Sequence, residues 1–319
     1  MVTYQDIVDA SLRIEPYVWN TSLSRNPVLS AKFGCNVLLK FENQQTSGSF
    51  KARGAYNKIL SVPKDIRKHA FFVAASTGNH AAAFCTALTE LGLRGEVYLP
   101  VNVAKSKLDF IKAMGVPFKL IGATSLETEI YCREVSEIHN YILVHPYNDP
   151  LIVAGQGTVA KEMLDLQPDL DAIIAPVGGG GLIAGISTYV KHVSPKVQII
   201  GCQPANSPEM IESIKIGSIV TDDISLPTLS DGTAGGLERG SITFDICRNC
   251  VDTWAGITED EIALEITELI DSDQIVIEGA AALPLAYLRK NRTKFEGNDV
   301  GIVITGKRIS REKLSQLLC

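Results

Sequence analysis

The sequence predicts an α/β protein with two lobes, each built on a parallel sheet flanked by helices. Its 319 residues exceed the roughly 250 residues at which a single hydrophobic core stops growing, which favours two lobes. Short apolar runs of strand length alternate with segments whose apolar residues repeat at helical spacing. Strands that alternate with helices pair in parallel, because each helix carries the chain back across the sheet.

Eight apolar runs account for the predicted strands. In chain order they are NVLLKFE, AFFVAAS, GEVYLP, PFKLI, YILVHP, DAIIAPV, VQIIGCQ and VGIVIT. Helical patterns between them include HAAAFCTALTELG, AKSKLDFIKAMG and SLETEIYCREVSEIH. Because strands two to five lie close together, residues 71–147 are expected to form a small lobe, with residues 1–65 and 150–319 in a large one.

Charge and composition exclude several classes of partner. The formal net charge is -6, so no basic surface for nucleic acid or anionic lipid is expected. The N-terminal stretch carries Asp6, Asp9 and Glu15 and lacks the basic start and apolar core of a secretory signal. The uncharged run 172–190 contains glycines and a proline, which fit a buried strand and a helix start better than a membrane span. A small-molecule partner, no membrane and a cytoplasmic location are expected.

The first candidate binding segment is a run of four glycines after the predicted strand DAIIAPV. They are Gly178, Gly179, Gly180 and Gly181, and a helix is predicted to begin at Leu182. Backbone N–H groups can converge on an anion there, and the helix start adds partial positive charge, which predicts a phosphate site. The run also matches G-x-G-x-x-A, but Gln203 stands where a dinucleotide-binding fold places an acidic residue. A nicotinamide cofactor is therefore the weaker alternative.

The second candidate segment is a polar turn between the strand AFFVAAS and the following helix. It comprises Ser76, Thr77, Gly78, Asn79 and His80. Hydroxyl groups and free N–H groups at a helix start suit a carboxylate. An ordinary N-cap needs only one such polar residue, so this turn is predicted to bind the carboxylate of a ligand.

The third candidate segment, SGSFKARG, places Lys51 between a Ser/Gly-rich turn and the helical run KARGAYNKI. A lone lysine is usually a solvated surface charge. A lysine buried near a phosphate is different, because burial favours the neutral amine that Schiff-base chemistry requires. Together with the other two segments, Lys51 is predicted to be a nucleophilic amine.

In their order and spacing, SGSFKARGA, ASTGNH, HPYNDPLIVAGQGT and PVGGGGLIAGI resemble the serine/threonine dehydratase and serine racemase family. The resemblance runs from about Asn20 to Ile304. It implies a two-lobed pyridoxal-phosphate enzyme of fold type II, similar to tryptophan synthase β, and a homodimer. It also implies that the large lobe binds the cofactor and that the small lobe binds the carboxylate of the substrate.

The resemblance assigns expected roles around the cofactor, pyridoxal 5'-phosphate. Lys51 carries it through a Schiff base with Phe50 beside the ring, and the glycine run binds its phosphate. Asn79 hydrogen-bonds the ring 3-hydroxyl. Thr305, the last residue of VGIVIT, contacts the pyridine nitrogen. A neutral hydroxyl there does not hold the ring nitrogen protonated, which suits elimination better than transamination.

The implied reaction is dehydration of a β-hydroxy amino acid, such as L-threonine or L-serine, to a 2-keto acid and ammonia. Lys51 acts as the base, and the turn from Ser76 to His80 binds the substrate carboxylate. Thr77 occupies the place of the serine base of racemases, and its extra methyl group restricts its rotamers, so elimination is favoured. Serine racemase activity, or a specialised hydroxy-amino-acid dehydratase of osmolyte catabolism, remains the alternative.

A few other residues indicate whether a metal binds and which class of substrate is accepted. Gln203 replaces the glutamate of cation-binding relatives, so no tightly held metal is expected. The segment TSLETE offers Glu127 and Glu129, which favours a substrate without a second acid. Glu278 is either a residue that approaches the cofactor pocket or an acidic residue at a helix start, and His145 is interpreted as a packed histidine at a strand end.

Overall fold

The computed structural model describes residues 2–221 and 224–318. Its strands are β1 Leu23–Arg25, β2 Asn36–Lys40, β3 Phe71–Ala75, β4 Arg94–Leu99, β5 Phe118–Leu120, β6 Ile142–Leu143, β7 Ala172–Pro176, β8 Gln198–Pro204, β9 Thr253–Ile257 and β10 Asp299–Val303. Its helices are α1 Tyr4–Ile14, α2 Pro27–Phe33, α3 Lys51–Leu60, α4 Lys64–Arg67, α5 Asn79–Leu91, α6 Lys105–Ala113, α7 Ser125–His139, α8 Pro150–Leu166, α9 Gly181–Val193, α10 Glu209–Ile216, α11 Ile242–Cys250, α12 Glu259–Asp273, α13 Gly279–Asn291 and α14 Arg311–Leu318. Two short 3-10 turns cover Glu42–Gln44 and Arg292–Lys294.

The strands form two sheets. The larger sheet has the order β1-β2-β10-β7-β8-β9, and the smaller has the order β5-β4-β3-β6. Every pairing is parallel except that of β1 with β2, which is antiparallel. All eight predicted strands are present, so the predicted α/β architecture with parallel sheets is confirmed.

The large sheet brings distant parts of the chain together at its centre. Strand β10 lies between β2 and β7, with Val300 opposite both Val37 and Ala172. All five residues of β7 are buried, as expected for a parallel strand with helices on both faces. The carboxyl ends of β10 and β7 therefore lie next to each other, and the loops that follow them, after Val303 and after Pro176, share one edge of the sheet.

Hydrophobic clusters cover both faces of the large sheet. On one face α1, α8 and α9 supply buried side chains such as Ile7, Val159 and Ile186. On the other face α12 and α13 supply Ile266 and Leu285. The small sheet has its own core, to which α3 and α5 both contribute. Helix α3 thus packs beside the small sheet while its first residue lies at the end of the large one.

Close helix packing depends on glycines. A Cβ at Gly155 would lie 2.7 Å from the carbonyl oxygen of Arg53, and one at Gly157 would lie 2.9 Å from the carbonyl oxygen of Gly185. Real Cβ atoms do not approach backbone this closely, so these glycines set the spacing of α3, α8 and α9. Within the ranges that the structure covers, no helix is long and apolar enough to cross a membrane.

Candidate active site

The Ser/Gly-rich turn that precedes Lys51 is fixed to the end of the large sheet by backbone hydrogen bonds. The N–H of Phe50 donates to the carbonyl of Thr305 (3.0 Å), and Ser49 forms an antiparallel bridge with Gly306. Helix α3 begins directly afterwards, at Lys51. The amine is thereby held where β10 ends, which is the edge at which parallel sheets bind ligands.

The amine of Lys51 is desolvated and lies above the ring of Phe50. Its Nζ donates to the carbonyl of Pro146 (2.7 Å) and lies 5.2 Å from the Phe50 ring centroid. Burial lowers the pKa of Lys51 to about 8, although the charges of Glu278 and Glu129 oppose this shift. A group with this pKa supplies far more neutral amine at neutral pH than an exposed lysine does.

A buried ion cluster anchors α3 two residues beyond Lys51. Arg53 is completely buried and donates to both carboxylate oxygens of Glu42 and of Glu162, at 2.7 to 2.8 Å. Lys40, on β2, also pairs with Glu162. Two positive and two negative side chains thus neutralise one another in the interior, as buried charges require.

The glycine run forms a tight turn between β7 and α9. Gly180 has a φ of +84°, a left-handed conformation that glycine adopts at little cost. A Cβ at Gly179 would clash with the ring of Tyr147, and one at Gly178 would lie 3.0 Å from Thr233. Helix α9 begins at Gly181, one residue before the predicted start, and its first N–H groups have no intrahelical acceptor. The turn therefore suits an anion.

The polar turn after β3 leads into α5, which begins at Asn79, so the last two residues of the predicted turn belong to the helix. Ser76, Thr77, Gly78 and Asn79 are partly exposed, and the hydroxyl of Ser76 accepts from the N–H of Gly78 (3.3 Å). These polar groups remain accessible to a ligand at a helix start. Their predicted role in carboxylate binding stays a prediction.

His80 differs from its neighbours because its side chain is buried. Its Nε2 hydrogen-bonds the carbonyl of Val144 (2.7 Å), and Nδ1 is buried without a partner among the described residues. Burial, followed by the charge of Lys51, lowers the pKa of His80 to about 3. A neutral ring that donates through Nε2 leaves Nδ1 as an acceptor, so only the backbone of His80 can donate to a carboxylate.

Glu278 joins two of the predicted site residues. It stands at the N-cap of α13 but makes no side-chain cap hydrogen bond. Instead its carboxylate accepts from Nδ2 of Asn79 (2.7 Å) and from the hydroxyl of Thr305 (2.9 Å). Glu278 thus stands at a helix start and also approaches the site, because donors from distant parts of the chain, Asn79 and Thr305, engage its oxygens.

The structure thus gathers most of the predicted residues around one space. Lys51, Phe50 and Thr305 are joined by hydrogen bonds or ring contact, and Asn79 is linked to Thr305 through Glu278. The glycine turn lies near the Lys51 amine as well. Tyr147 packs against Gly179, and the residue before it, Pro146, accepts the hydrogen bond of the amine.

Residues 145–148 and Glu238 form a wall of this space that the sequence did not reveal. Nδ1 of His145 accepts from the N–H of Tyr147 (3.2 Å) and from that of Asn148 (2.8 Å). Burial lowers the pKa of His145, and its Nε2 faces Glu238 at 3.3 Å. The side chain of His145 therefore organises the backbone of the wall, which agrees with its interpretation as a packed residue.

Gln203, the residue considered for a metal, and the nearby carboxylate Glu209 are engaged by the protein itself. The side-chain oxygen of Gln203 accepts from the N–H of Ile211 (2.8 Å), and Glu209 accepts from the hydroxyl of Ser207 (2.7 Å). No group of three or more His, Cys, Asp or Glu side chains that could hold a metal ion occurs in the part of the chain that the structure describes.

Comparison with known proteins gives a consistent match along the chain. Residues 14–306 match the family model described as pyridoxal-phosphate dependent enzyme. The chain is 36% identical to an L-threonine ammonia-lyase of Thermotoga maritima over 318 residues, which cover 100% of this chain and 78% of that protein. It is 35% identical to a catabolic L-threonine dehydratase of Escherichia coli K12, covering 99% of this chain and 96% of that protein.

A solved structure shows the same fold. The chain is similar to the serine racemase of Dictyostelium discoideum with a TM-score of 0.88 and 32% identity, covering 97% of this chain and 99% of that one.

Proposed function

The chain belongs to the pyridoxal-phosphate dependent enzyme family, and we propose that it is a dehydratase that converts a β-hydroxy amino acid, such as L-threonine or L-serine, to a 2-keto acid and ammonia. The observation that carries this proposal is the desolvated amine of Lys51 at the meeting point of the three predicted segments. Relatives named L-threonine ammonia-lyase and L-threonine dehydratase support the reaction class.

The residues present fit the cofactor, pyridoxal phosphate. The glycine turn offers an anion-binding helix start that Cβ atoms would fill, and Oδ1 of Asn79 is a buried acceptor without a partner among the described residues. Lys51 would bind the cofactor with Phe50 beside it, Asn79 and Thr305 would contact its ring, and the four glycines its phosphate. Once bound, the cofactor supplies an electron sink for the charge that develops at the substrate Cα.

The protein's own residues would position the substrate and move protons. The turn from Ser76 to His80 would bind the substrate carboxylate through its hydroxyls and backbone N–H groups, which orients the Cα–H bond toward Lys51. Neutral Lys51 would then take the Cα proton as general base. Its pKa of about 8 leaves roughly a tenth of the amine neutral at pH 7, which makes this step feasible. Loss of the β-hydroxyl and later hydrolysis give the keto acid and ammonia.

Keto-acid production by the purified holoenzyme tests the proposal. With L-serine or L-threonine we expect pyruvate or 2-oxobutyrate, and Lys51→Ala is expected to lower the rate by about 100-fold or more because the base is lost. Lys51→Arg keeps the charge and much of the bulk, yet its guanidinium cannot serve as the base, so it should be equally inactive. Lys64→Ala, at an exposed position, is the control and should retain the wild-type rate. A Lys51→Ala variant with full activity would contradict the proposal.

Racemisation is the second candidate, and it would depend on the hydroxyl of Thr77, although the extra methyl group of this residue favours elimination. Its hydroxyl lies in the partly exposed turn before Asn79, where it could deliver a proton to the opposite face of the substrate. Similarity to a serine racemase supports racemisation as a candidate. Formation of D-serine from L-serine, measured by chiral chromatography and abolished in Thr77→Val, would establish this activity alongside or in place of elimination.

We further propose the domain roles, location and assembly implied by the family resemblance. Residues 1–65 and 150–319 would bind the cofactor, and residues 71–147 would bind the substrate carboxylate. The partner is a small-molecule amino acid, the expected location is the cytoplasm, and the expected assembly is a homodimer. Light scattering during size-exclusion chromatography would measure the mass of the assembly.

A further inference from the structure

Glu129 is an acidic residue beside the Lys51 amine. It lies near the start of α7, is partly buried, and interacts electrostatically with Lys51, Glu238 and Arg133. The effect is mutual, since the charge of Glu129 acts on the amine of Lys51 and on the phenol of Tyr147. Glu129 and Arg133 lie one turn apart on the same side of α7, and Arg133 pairs with Glu238, which places the carboxylate of Glu129 at the wall formed by residues 145–148 and Glu238.

The carboxylate of Glu129 has no hydrogen-bond or ion-pair partner within the described ranges, whereas the neighbouring carboxylates do. Glu127, two residues earlier, accepts from the N–H of Ala123 (2.6 Å). Glu238 pairs with Arg133 and accepts from Nδ2 of Asn148 (2.6 Å). Partly buried carboxylates without partners are unfavourable, so the position of Glu129 calls for a ligand group.

Neither nearby cation can neutralise Glu129 during the reaction. Arg133 is committed to Glu238. Lys51 must be neutral when it acts as a base, so it cannot serve as a permanent counter-ion. When the enzyme is ready to react, the charges of Arg133 and Glu238 cancel and that of Glu129 remains.

A second, independent feature marks the same space as a ligand site. Nδ1 of His80, a residue only 3% exposed, has no partner in the described part of the chain, and the charge of Lys51 acts on its ring. Buried polar atoms are normally satisfied. An unsatisfied nitrogen beside the amine therefore indicates a space that a bound molecule completes.

We propose that Glu129 selects the substrate side chain, and that the preferred β-hydroxy amino acid carries an ammonium or similar cationic hydrogen-bond donor beyond its β-carbon. This inference rests on the proposed dehydratase function and adds the class of substrate to it. The substrate carboxylate would bind the turn from Ser76 to His80, and the cationic end would face Glu129. A substrate with a second carboxylate would be repelled, and the methyl group of threonine would leave Glu129 unpaired.

Binding of a matched pair of unreactive ligands to the holoenzyme tests the inference. L-2,4-diaminobutyrate and L-2-aminobutyrate lack the β-hydroxyl group, and they differ by one terminal ammonium. We expect the first to bind about 10- to 100-fold more tightly, the gain typical of a hydrogen bond to a charged group. The dissociation constants can be read from the change in the visible spectrum of the cofactor or by calorimetry.

Variants of α7 assign the preference to Glu129. In Glu129→Gln the two dissociation constants should become equal to within a few-fold, while Glu129→Asp, which keeps the charge, should retain part of the difference. Glu134→Gln removes an exposed carboxylate from the same helix and should leave the ratio unchanged. Equal binding of both ligands to the wild type, or an unchanged ratio in Glu129→Gln, would overturn the inference.

The pH dependence gives a readout that a structural role would not produce. Burial, reinforced by the charge of Glu238, raises the pKa of Glu129 to about 7. Below that pH the carboxyl is protonated and loses its attraction for a cation, so the ratio should grow between about pH 6 and pH 8. The other groups that face it are Lys51, Arg133, Cys132 and Tyr147, and comparison with Glu129→Gln removes their contribution. A ratio that does not change with pH would contradict the inference.

The same preparation separates this inference from the proposed function. Keto acid from L-threonine or L-serine together with equal binding of the two ligands would reject the role of Glu129 alone. Absence of keto acid or ammonia from any β-hydroxy amino acid, including L-threonine with an amino group on its methyl carbon, would reject the proposed function and with it the inference.

Discussion

At the scale of single residues, Glu278 positions other site residues at a cost in stability. It holds Asn79 and Thr305 on its two carboxylate oxygens while almost completely buried. Burial raises the pKa of Glu278 despite these hydrogen bonds. An acid whose folded pKa is raised stabilises the protein below its unfolded pKa, and this contribution is lost as the pH rises through the folded pKa. Ionisation of the buried carboxyl of Glu278 therefore lowers stability as the pH rises.

We predict that Glu278→Gln separates stability from activity. An amide is uncharged and can accept from only one of the two donors. At pH 7 the free energy of unfolding of the cofactor-free variant should be unchanged or higher by about 1 kcal/mol, and keto-acid formation should fall by about tenfold or more. Urea unfolding at several pH values and a keto-acid assay measure the two effects. The gain in stability should shrink as the pH falls, because the wild-type carboxyl of Glu278 is then protonated and uncharged, as the amide is.

Glu134→Gln is the control for Glu278→Gln, since its side chain is exposed and should change neither quantity. A Glu278→Gln variant that unfolds more readily at pH 7 and retains full activity would refute this account of Glu278.

Residue chemistry in the sequence predicted Lys51 and the glycine turn but not the role of Glu278. A lysine between a Ser/Gly-rich turn and a helix, or four glycines after a strand, are local patterns. The donors to Glu278 stand 199 and 27 positions away along the chain, and only the folded sheets bring them together. Glu129 was noticed in the sequence, but its lack of a partner among the described residues is a property of the folded structure.

At the scale of elements, the buried ion cluster anchors α3 to its neighbours. Arg53 joins this helix to the 3-10 turn through Glu42 and to α8 through Glu162. Burial opposes the charge of Glu42, yet Arg53 outweighs it, so the pKa of Glu42 is lowered. This depressed pKa stabilises the fold above the unfolded pKa of a glutamate, and the contribution is lost as the pH falls through the folded pKa.

We predict that Arg53→Ala lowers the free energy of unfolding by about 3–5 kcal/mol, because it leaves the buried charge of Glu42 uncompensated. Arg53→Lys keeps a positive charge but cannot bond both carboxylates as a planar fork does, so its loss should be intermediate. Lys64→Ala should change the free energy by no more than about 0.5 kcal/mol. Urea unfolding at pH 7 measures all three, and an Arg53→Ala variant as stable as Lys64→Ala would contradict the anchoring role.

Elements with clear apolar patterns were predictable, and those without such a pattern were not. The buried run of β7 and the alternation around β3 and β4 identified strands without tertiary information. Strand β9 was missed because Thr253–Ile257 contains Ala and Gly and only its last residue is fully buried, so it lacks a strong apolar run. Strand β1 has three residues, one half-buried and two exposed, and forms only through its antiparallel pairing with β2.

At the scale of the whole molecule, the fold places loops from both sheets around the amine of Lys51. The large sheet contributes the glycine turn after β7 and Thr305 after β10, and the small sheet contributes the polar turn after β3. Alternation of strands and helices predicted the parallel sheets, since each apolar run is local. The strand order depends on pairings such as β2 with β10, about 260 positions apart along the chain, which no local pattern encodes.

Every role proposed for the site depends on Lys51 as the amine that binds the cofactor. Reduction of the purified holoenzyme with borohydride makes the link between cofactor and lysine permanent, and peptide mass spectrometry then locates the modified residue. We predict a pyridoxyl group on Lys51 and its disappearance in Lys51→Arg. Modification of a different lysine, or no modification in a protein loaded with the cofactor, would contradict the account.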